Sequence, residues 1–143
     1  MAKTETRTIG VAVEMPDQSC ADIKCPFHGN LSVRGRQFTG TIISTKMRKT
    51  AVIEFGRLQF LKKYERYEKR MTRLKVHNPE CINAKEGSIV KVVECRPLSK
   101  TKNFVIVKNL GTEKGFKGRM EARESAKVTE KSKKEEQKTE EEK

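Results

Sequence analysis

Residues 57–76, RLQFLKKYERYEKRMTRLKV, decide the fold class of this chain. Phe60, Tyr64, Tyr67, Met71 and Leu74 recur at helical spacing, which on pattern alone gives a basic amphipathic helix. The end of the same stretch, MTRLKV, alternates apolar and polar residues as a strand does. In that second reading the segment is two strands joined by a charged loop near residues 62–68. Periodicity does not separate the two readings, so the flanking sequence must.

The flanks are β-rich. FTGTIIST (38–45) and TAVIEF (50–55) are short, carry β-branched residues and are separated by KMRK (46–49). In TAVIEF, Ala51, Ile53 and Phe55 fall on one face and Val52 and Glu54 on the other. SIVKVVEC (88–95) and FVIVKN (104–109) follow, punctuated by Gly87, Pro97, Gly111 and Gly115. Five strand candidates in about 70 residues predict an all-β domain closed into a small antiparallel barrel over residues 38–110. The five-stranded OB-fold is the common barrel of this size that binds oligonucleotides.

Residues 1–37 have weak periodicity and contain Pro16, Pro26, Gly29 and Gly35, so an irregular N-terminal extension is expected. From Met120 the chain reads MEARESAKVTEKSKKEEQKTEEEK, with nothing apolar after Val128. Such a segment buries too little surface to offset its ordering entropy and is expected to be disordered or a solvated helix. The expected organisation is an extension (1–37), an OB-fold domain (38–119) and a charged tail (120–143).

Charge is concentrated in the middle. The chain has 143 residues and a formal charge of +13. Residues 30–119 hold 22 Lys/Arg against seven Asp/Glu, whereas residues 1–29 hold three against four and residues 120–143 seven against eight. The excess exceeds what solubility requires and points to a polyanion bound by the folded part.

Other classes are less well supported. No apolar run approaches the ~18 residues of a membrane span, and the first twenty residues are too polar for a signal peptide. A cytoplasmic protein with reduced thiols is expected, so the four cysteines do not read as a disulfide framework. GxSxG, Walker A, GxGxxG and HExxH patterns are absent, and the only aspartates, Asp17 and Asp22, lie in the extension. Neither an enzyme nor a small-molecule substrate is expected. CADIKCPFH separates Cys20 from Cys25 by four residues and Cys25 from His28 by two, which is within zinc-ligand spacing. His77, Cys81 or Cys95 would have to complete the set. With a single suitably spaced pair and Cys95 readable as a small buried hydrophobe, the expectation is no bound metal and no cofactor.

Three clusters carry the cations: TKMRKT (45–50), RLQFLKKYERYEKRMTRLK (57–75) and RPLSKTK (96–102). In a barrel the first and third become loops, where Lys and Arg meet phosphates without burying charge. Hydroxyls of Thr50, Ser99 and Thr101 add hydrogen bonds to phosphate oxygens. Tyr64 and Tyr67 either stack on unpaired bases or pack within the hairpin.

GTIISTKMRKTAVIEF (40–55) and GSIVKVVECRPLSKTKNFVIV (87–107) resemble the two signature blocks of the small-subunit ribosomal protein seventeen family. The family pattern runs Gly-Asp, alternating apolar residues, Glu, any residue, Arg-Pro-Leu-Ser. Here it is Gly87 to Ser99, with Ser88 in place of the usual Asp. CPFHGNLSVRGR (25–36) is similar to the extension of the archaeal and eukaryotic branch. The resemblance covers about residues 20–110. It implies an OB-fold barrel with a long charged hairpin at 57–76, bound to the 5′ region of small-subunit ribosomal RNA beside neighbouring small-subunit proteins in the cytoplasm. The candidate RNA-binding residues are then Arg34 and Arg36; Lys46, Arg48, Lys49 and Thr50; Lys62, Lys63, Tyr64, Arg66, Tyr67, Lys69, Arg70 and Arg73; and Arg96, Ser99, Lys100, Thr101 and Lys102. Two alternatives stay open: a free-standing OB-fold module for tRNA or single-stranded RNA, and a zinc-stabilised protein-interaction module.

Overall fold

A computed structural model describes residues 9–126. Five strands, β1 (Val33–Met47), β2 (Thr50–Leu61), β3 (Arg66–His77), β4 (Ser88–Ser99) and β5 (Lys102–Thr112), close into a barrel in the order β1-β2-β3-β5-β4. This is an OB-fold-like all-β domain. Four of the pairings are antiparallel, but β3 pairs with β5 in parallel. The wholly antiparallel barrel expected above is therefore corrected at its closing seam. After β3 the chain crosses to β4 beside β1, and the β4–β5 hairpin returns β5 alongside β3 in the same direction.

The ambiguous 57–76 segment is a hairpin. Its two strands pair without a register break from Thr50↔His77 to Leu61↔Arg66. One 3₁₀ turn, Lys62–Tyr64, and Glu65 at φ 49° reverse the chain. The helical spacing was coincidental: Phe60 faces Tyr67 across the ladder, whereas Leu74 faces Ile53 in the barrel wall.

The barrel interior is filled by Ile42, Ala51, Ile53, Val76, Ala84, Val90, Val92 and Ile106. Phe38 packs between Phe55 (ring centroids 4.8 Å apart, stacked) and Phe104 (5.6 Å, tilted). β1 serves both β2 and β4, and its register shifts after Ile42 and Ser44 allow the bending that closure requires.

Val93 and Cys95 of β4, and Val105 and Val107 of β5, point away from that interior and are nonetheless buried. A strand apolar on both faces needs a second layer. The N-terminal extension supplies it. Phe27 and Leu31 are fully buried against these four residues, with Ile9, Val11 and Val13 packed at the margin. Burying Phe27 and Leu31 contributes about 1.5–3 kcal/mol each. The extension lacks regular structure before Val33, as expected, but it is half of a second core.

The compact unit that contains the barrel runs to Thr112, and a second unit begins at Glu113. In the second unit residues 116–126 form a helix, α1, with mostly exposed side chains. Arg119 pairs with Glu113 at 2.9 Å and covers the Phe116 ring. The expected tail from residue 127 onward lies outside the described residues.

Candidate nucleic-acid interface

The basic residues sit where strands turn. β1 passes into β2 through Arg48 and Lys49, with Lys49 at φ 51°. Lys46 and Arg48 are exposed, and Lys85 joins them around one cleft. Lys49 is partly tied down: its Nζ lies 2.9 Å from Glu80 and 3.9 Å from Asp22. Thr50 departs from its expected role. It is buried, its hydroxyl donates to the Arg48 carbonyl at 3.1 Å, and it accepts from Lys102 Nζ at 3.0 Å. Thr50 therefore positions Lys102 and is not an exposed phosphate donor.

RPLSKTK is less of a loop than its composition implies. Arg96 to Ser99 still belong to β4, the reversal is Lys100–Thr101, and Ser99 pairs with Lys102. Pairing to β5 is interrupted between Glu94 and Ser99, which is where Pro97, having no N–H to donate, fits without loss. Arg96, Ser99, Lys100 and Thr101 are exposed. The Lys102–Thr50 bond fastens this turn to the β1–β2 turn, so two of the three clusters meet at one end of the barrel. Arg34 and Arg96 share a separate cleft with Glu94, whose carboxylate accepts the Arg36 backbone N–H at 3.1 Å.

The third cluster lies along the hairpin. Lys62, Lys63, Tyr64, Arg66, Tyr67, Lys69, Arg70 and Arg73 are all exposed. Strand alternation puts Leu58, Phe60, Tyr67, Lys69, Met71 and Arg73 on one face of the ribbon. The Phe60 and Tyr67 rings are 5.2 Å apart across the ladder. Leu58, Phe60, Tyr67 and Met71 remain 49–69% exposed, so this face is both basic and apolar. Arg73 meets the buried carboxylate of Glu54 at 3.2 Å, and Arg70 meets Glu68 at 2.8 Å. The hairpin tip is eleven ladder steps from Thr50, or about 36 Å at roughly 3.3 Å per residue. The clusters form an elongated track, not one patch. Leu58, Phe60 and Met71 are not among the RNA-binding candidates read from sequence, because their exposure follows only from the ribbon's extension past the barrel wall.

Beneath the extension, Cys20, Cys25, His28 and Cys81 converge, with all four ligand atoms within 4.8 Å of one another. His28 Nδ1 is 3.5 Å from Cys20 Sγ and 3.7 Å from Cys25 Sγ, and the Cys25 and Cys81 sulfurs are 3.6 Å apart. The hydrogen bond from Cys81 and the backbone N–H groups of His28 and Phe27 pull the Cys25 thiol well below its ordinary value, against burial. The same contact with Cys25, together with burial, pushes Cys81 up. Cys95 lies outside the group and packs in the second core, as its strand position suggested.

Comparison with known sequences gives a consistent family. The Ribosomal protein S17 family pattern matches residues 40–108. The small ribosomal subunit protein uS17 of Methanocaldococcus jannaschii is 53% identical over 112 residues, covering 78% of this chain and 96% of that protein. The uS17 proteins of Methanospirillum hungatei and Methanopyrus kandleri are each 48% identical, over 101 and 104 residues, covering 71% and 73% of this chain and 94% and 88% of their own.

Proposed function

This chain belongs to the ribosomal protein S17 family, in its archaeal type, and on that premise we propose that it is a structural, non-catalytic component of the small ribosomal subunit. It binds the 5′ region of small-subunit rRNA directly, helps that region to assemble, contacts neighbouring small-subunit proteins and works in the cytoplasm. The observation that carries the reading is where the net charge lies. Sixteen of the nineteen candidate residues have exposed side chains on the barrel turns, the hairpin and the Arg34–Arg96 cleft. Several carboxylates are instead withdrawn from solvent or paired, including Asp22, Glu54 and Glu68.

The mechanism is electrostatic seating. Lysine and arginine on the turns neutralise phosphates and release counterions, which gives affinity without sequence readout. The hairpin adds tyrosine rings and an exposed apolar edge that stack on or wedge against bases or riboses. An elongated track with two spaced basic ends favours a folded RNA over a short single strand.

Titration of the full chain against a 5′-domain fragment of archaeal small-subunit rRNA and a random single strand of equal length tests this. Tighter, steeply salt-dependent binding to the fragment is expected. Equal affinity for both RNAs would instead favour a general single-strand module.

A further inference from the structure

The expectation of no bound metal rested on a single ligand pair, and the fold changes that premise. Cys81 is 56 positions from Cys25, in the loop between β3 and β4. That loop is shaped from within. Asn78 donates its amide to the Ala84 carbonyl and accepts the Ala84 N–H, at 2.9 and 3.2 Å. Ile82 and Asn83 N–H groups close on the Pro79 carbonyl, and Asn83 takes φ 38°. The loop thereby delivers the Cys81 sulfur under the extension.

The opposite wall is just as ordered. Cys25 N–H donates to the Asp22 carbonyl at 3.0 Å, Gly29 N–H to Cys25 at 3.1 Å and Asn30 N–H to Ile23 at 3.1 Å. Gly29 runs so close to Ile23 that a Cβ there would lie 2.4 Å from the Ile23 carbonyl oxygen. These bonds fold residues 20–30 into a knuckle that aims Cys20, Cys25 and His28 at one point.

We propose that Cys20, Cys25, Cys81 and His28 Nδ1 form a tetrahedral structural zinc site that clamps the N-terminal extension to the β3–β4 loop. The metric match is close. A tetrahedron with Zn–S of about 2.3 Å and Zn–N of about 2.0–2.1 Å places sulfurs about 3.8 Å apart and sulfur about 3.6 Å from nitrogen. The Cys25 and Cys81 sulfurs are 3.6 Å apart, His28 Nδ1 lies 3.5 and 3.7 Å from the Cys20 and Cys25 sulfurs, and the remaining three pairs lie within 4.8 Å. Three sulfurs and one imidazole in a tetrahedral set favour zinc over the harder divalent cations, which take oxygen ligands. Four protein ligands leave no open position, so the site is structural and not catalytic. Cys25 and Cys81 are buried, whereas Cys20 and His28 are half-buried beside an open cleft that gives the ion an entry path.

The clamp extends the ribosomal reading without depending on it, because its test reads metal and not RNA. The full chain, isolated under reducing conditions, should contain one zinc per chain by elemental analysis. Replacement with Co²⁺ should give thiolate charge-transfer and tetrahedral ligand-field bands. Cys81→Ser should reduce zinc to background. His28→Cys should keep one zinc and move the cobalt spectrum towards that of four thiolates. The proposal is overturned if the folded wild-type chain neither carries zinc nor retains it after incubation with the ion. Undiminished zinc in Cys81→Ser, iron in place of zinc, or loss of metal from His28→Cys would each overturn the assignment as written.

Discussion

Asp22 Oδ2 lies 2.9 Å from His77 Nε2, with both side chains buried, and joins the irregular extension to the last residue of β3. A carboxylate only accepts, so Nε2 carries the proton. Burial pushes the Asp22 carboxyl up, but the Lys24 N–H, His77 and Lys49 outweigh it and hold the group ionised below its ordinary value. Burial pulls His77 down more than Asp22 raises it, and Lys102 adds to the fall.

The barrel should therefore lose stability in mild acid. His77 is neutral in the fold and titrates there below about 6.5, its unfolded value. Below about pH 6.5 the unfolded chain binds the extra proton, so stability falls as pH drops from there towards the folded value, by at most about 1.4 kcal/mol per pH unit. Urea midpoints of wild type and His77→Gln between pH 5 and 8 check this, with a flatter profile expected for the variant. Asp22→Ala should cost about 1.5–3 kcal/mol at neutral pH, as for a lost hydrogen bond to a charged group.

The β4–β5 turn should separate binding from stability. Lys100 is exposed, so Lys100→Ala should weaken rRNA binding and leave the unfolding midpoint unchanged. Lys102→Ala should also remove the bond to Thr50 and lower stability by about 0.5–1.5 kcal/mol. Together they should reduce the slope of log affinity against log salt by about 1.5, at roughly 0.7–0.9 per phosphate contact. An unchanged slope in a folded double variant would show that this turn faces away from RNA.

On the hairpin, Tyr64→Ala should weaken binding to the rRNA fragment by about 1–3 kcal/mol, the range for one stacked base. Thermal unfolding should be unaltered, since Tyr64 is 63% exposed. Tyr67→Ala should weaken binding and also lower the unfolding temperature, because its ring packs on Phe60 and such pairs contribute about 0.5–1.5 kcal/mol. Equal affinity for wild type and both variants would leave packing as the tyrosines' only role.

Gly29→Ala should destabilise the chain by about 1–3 kcal/mol, as overpacking does. The added Cβ meets the Ile23 and Asp22 carbonyl oxygens at 2.4 and 2.6 Å, and these are backbone atoms that cannot rotate away. Denaturant unfolding measures it, and limited proteolysis should show the first new cleavage in the extension.

Deleting residues 121–143 should change rRNA affinity less than tenfold, which is about 1.4 kcal/mol. The segment holds seven Lys/Arg against eight Asp/Glu and no aromatic residue. A larger loss in filter binding would make the tail a binding element.

Much was decided locally. The β-branched runs at 38–45, 50–55, 88–95 and 104–109 are strands because side-chain shape and alternation act over a few residues. Exposure of the basic turns follows from the cost of burying charge, which composition already implies. Three things lay beyond the sequence's reach. Phe60, Tyr64, Tyr67 and Met71 fit a helix as well as a ribbon, and only pairing with β2 over the whole ladder removes the helix. The apolar outer face of β4 and β5 was visible as the FVIV run, but what covers it, Phe27 and Leu31, is set by long-range packing. Cys81 carries no local mark that joins it to Cys20, Cys25 and His28. That meeting depends on closing more than fifty residues of chain around a barrel, and local propensity holds no information about where such a loop ends.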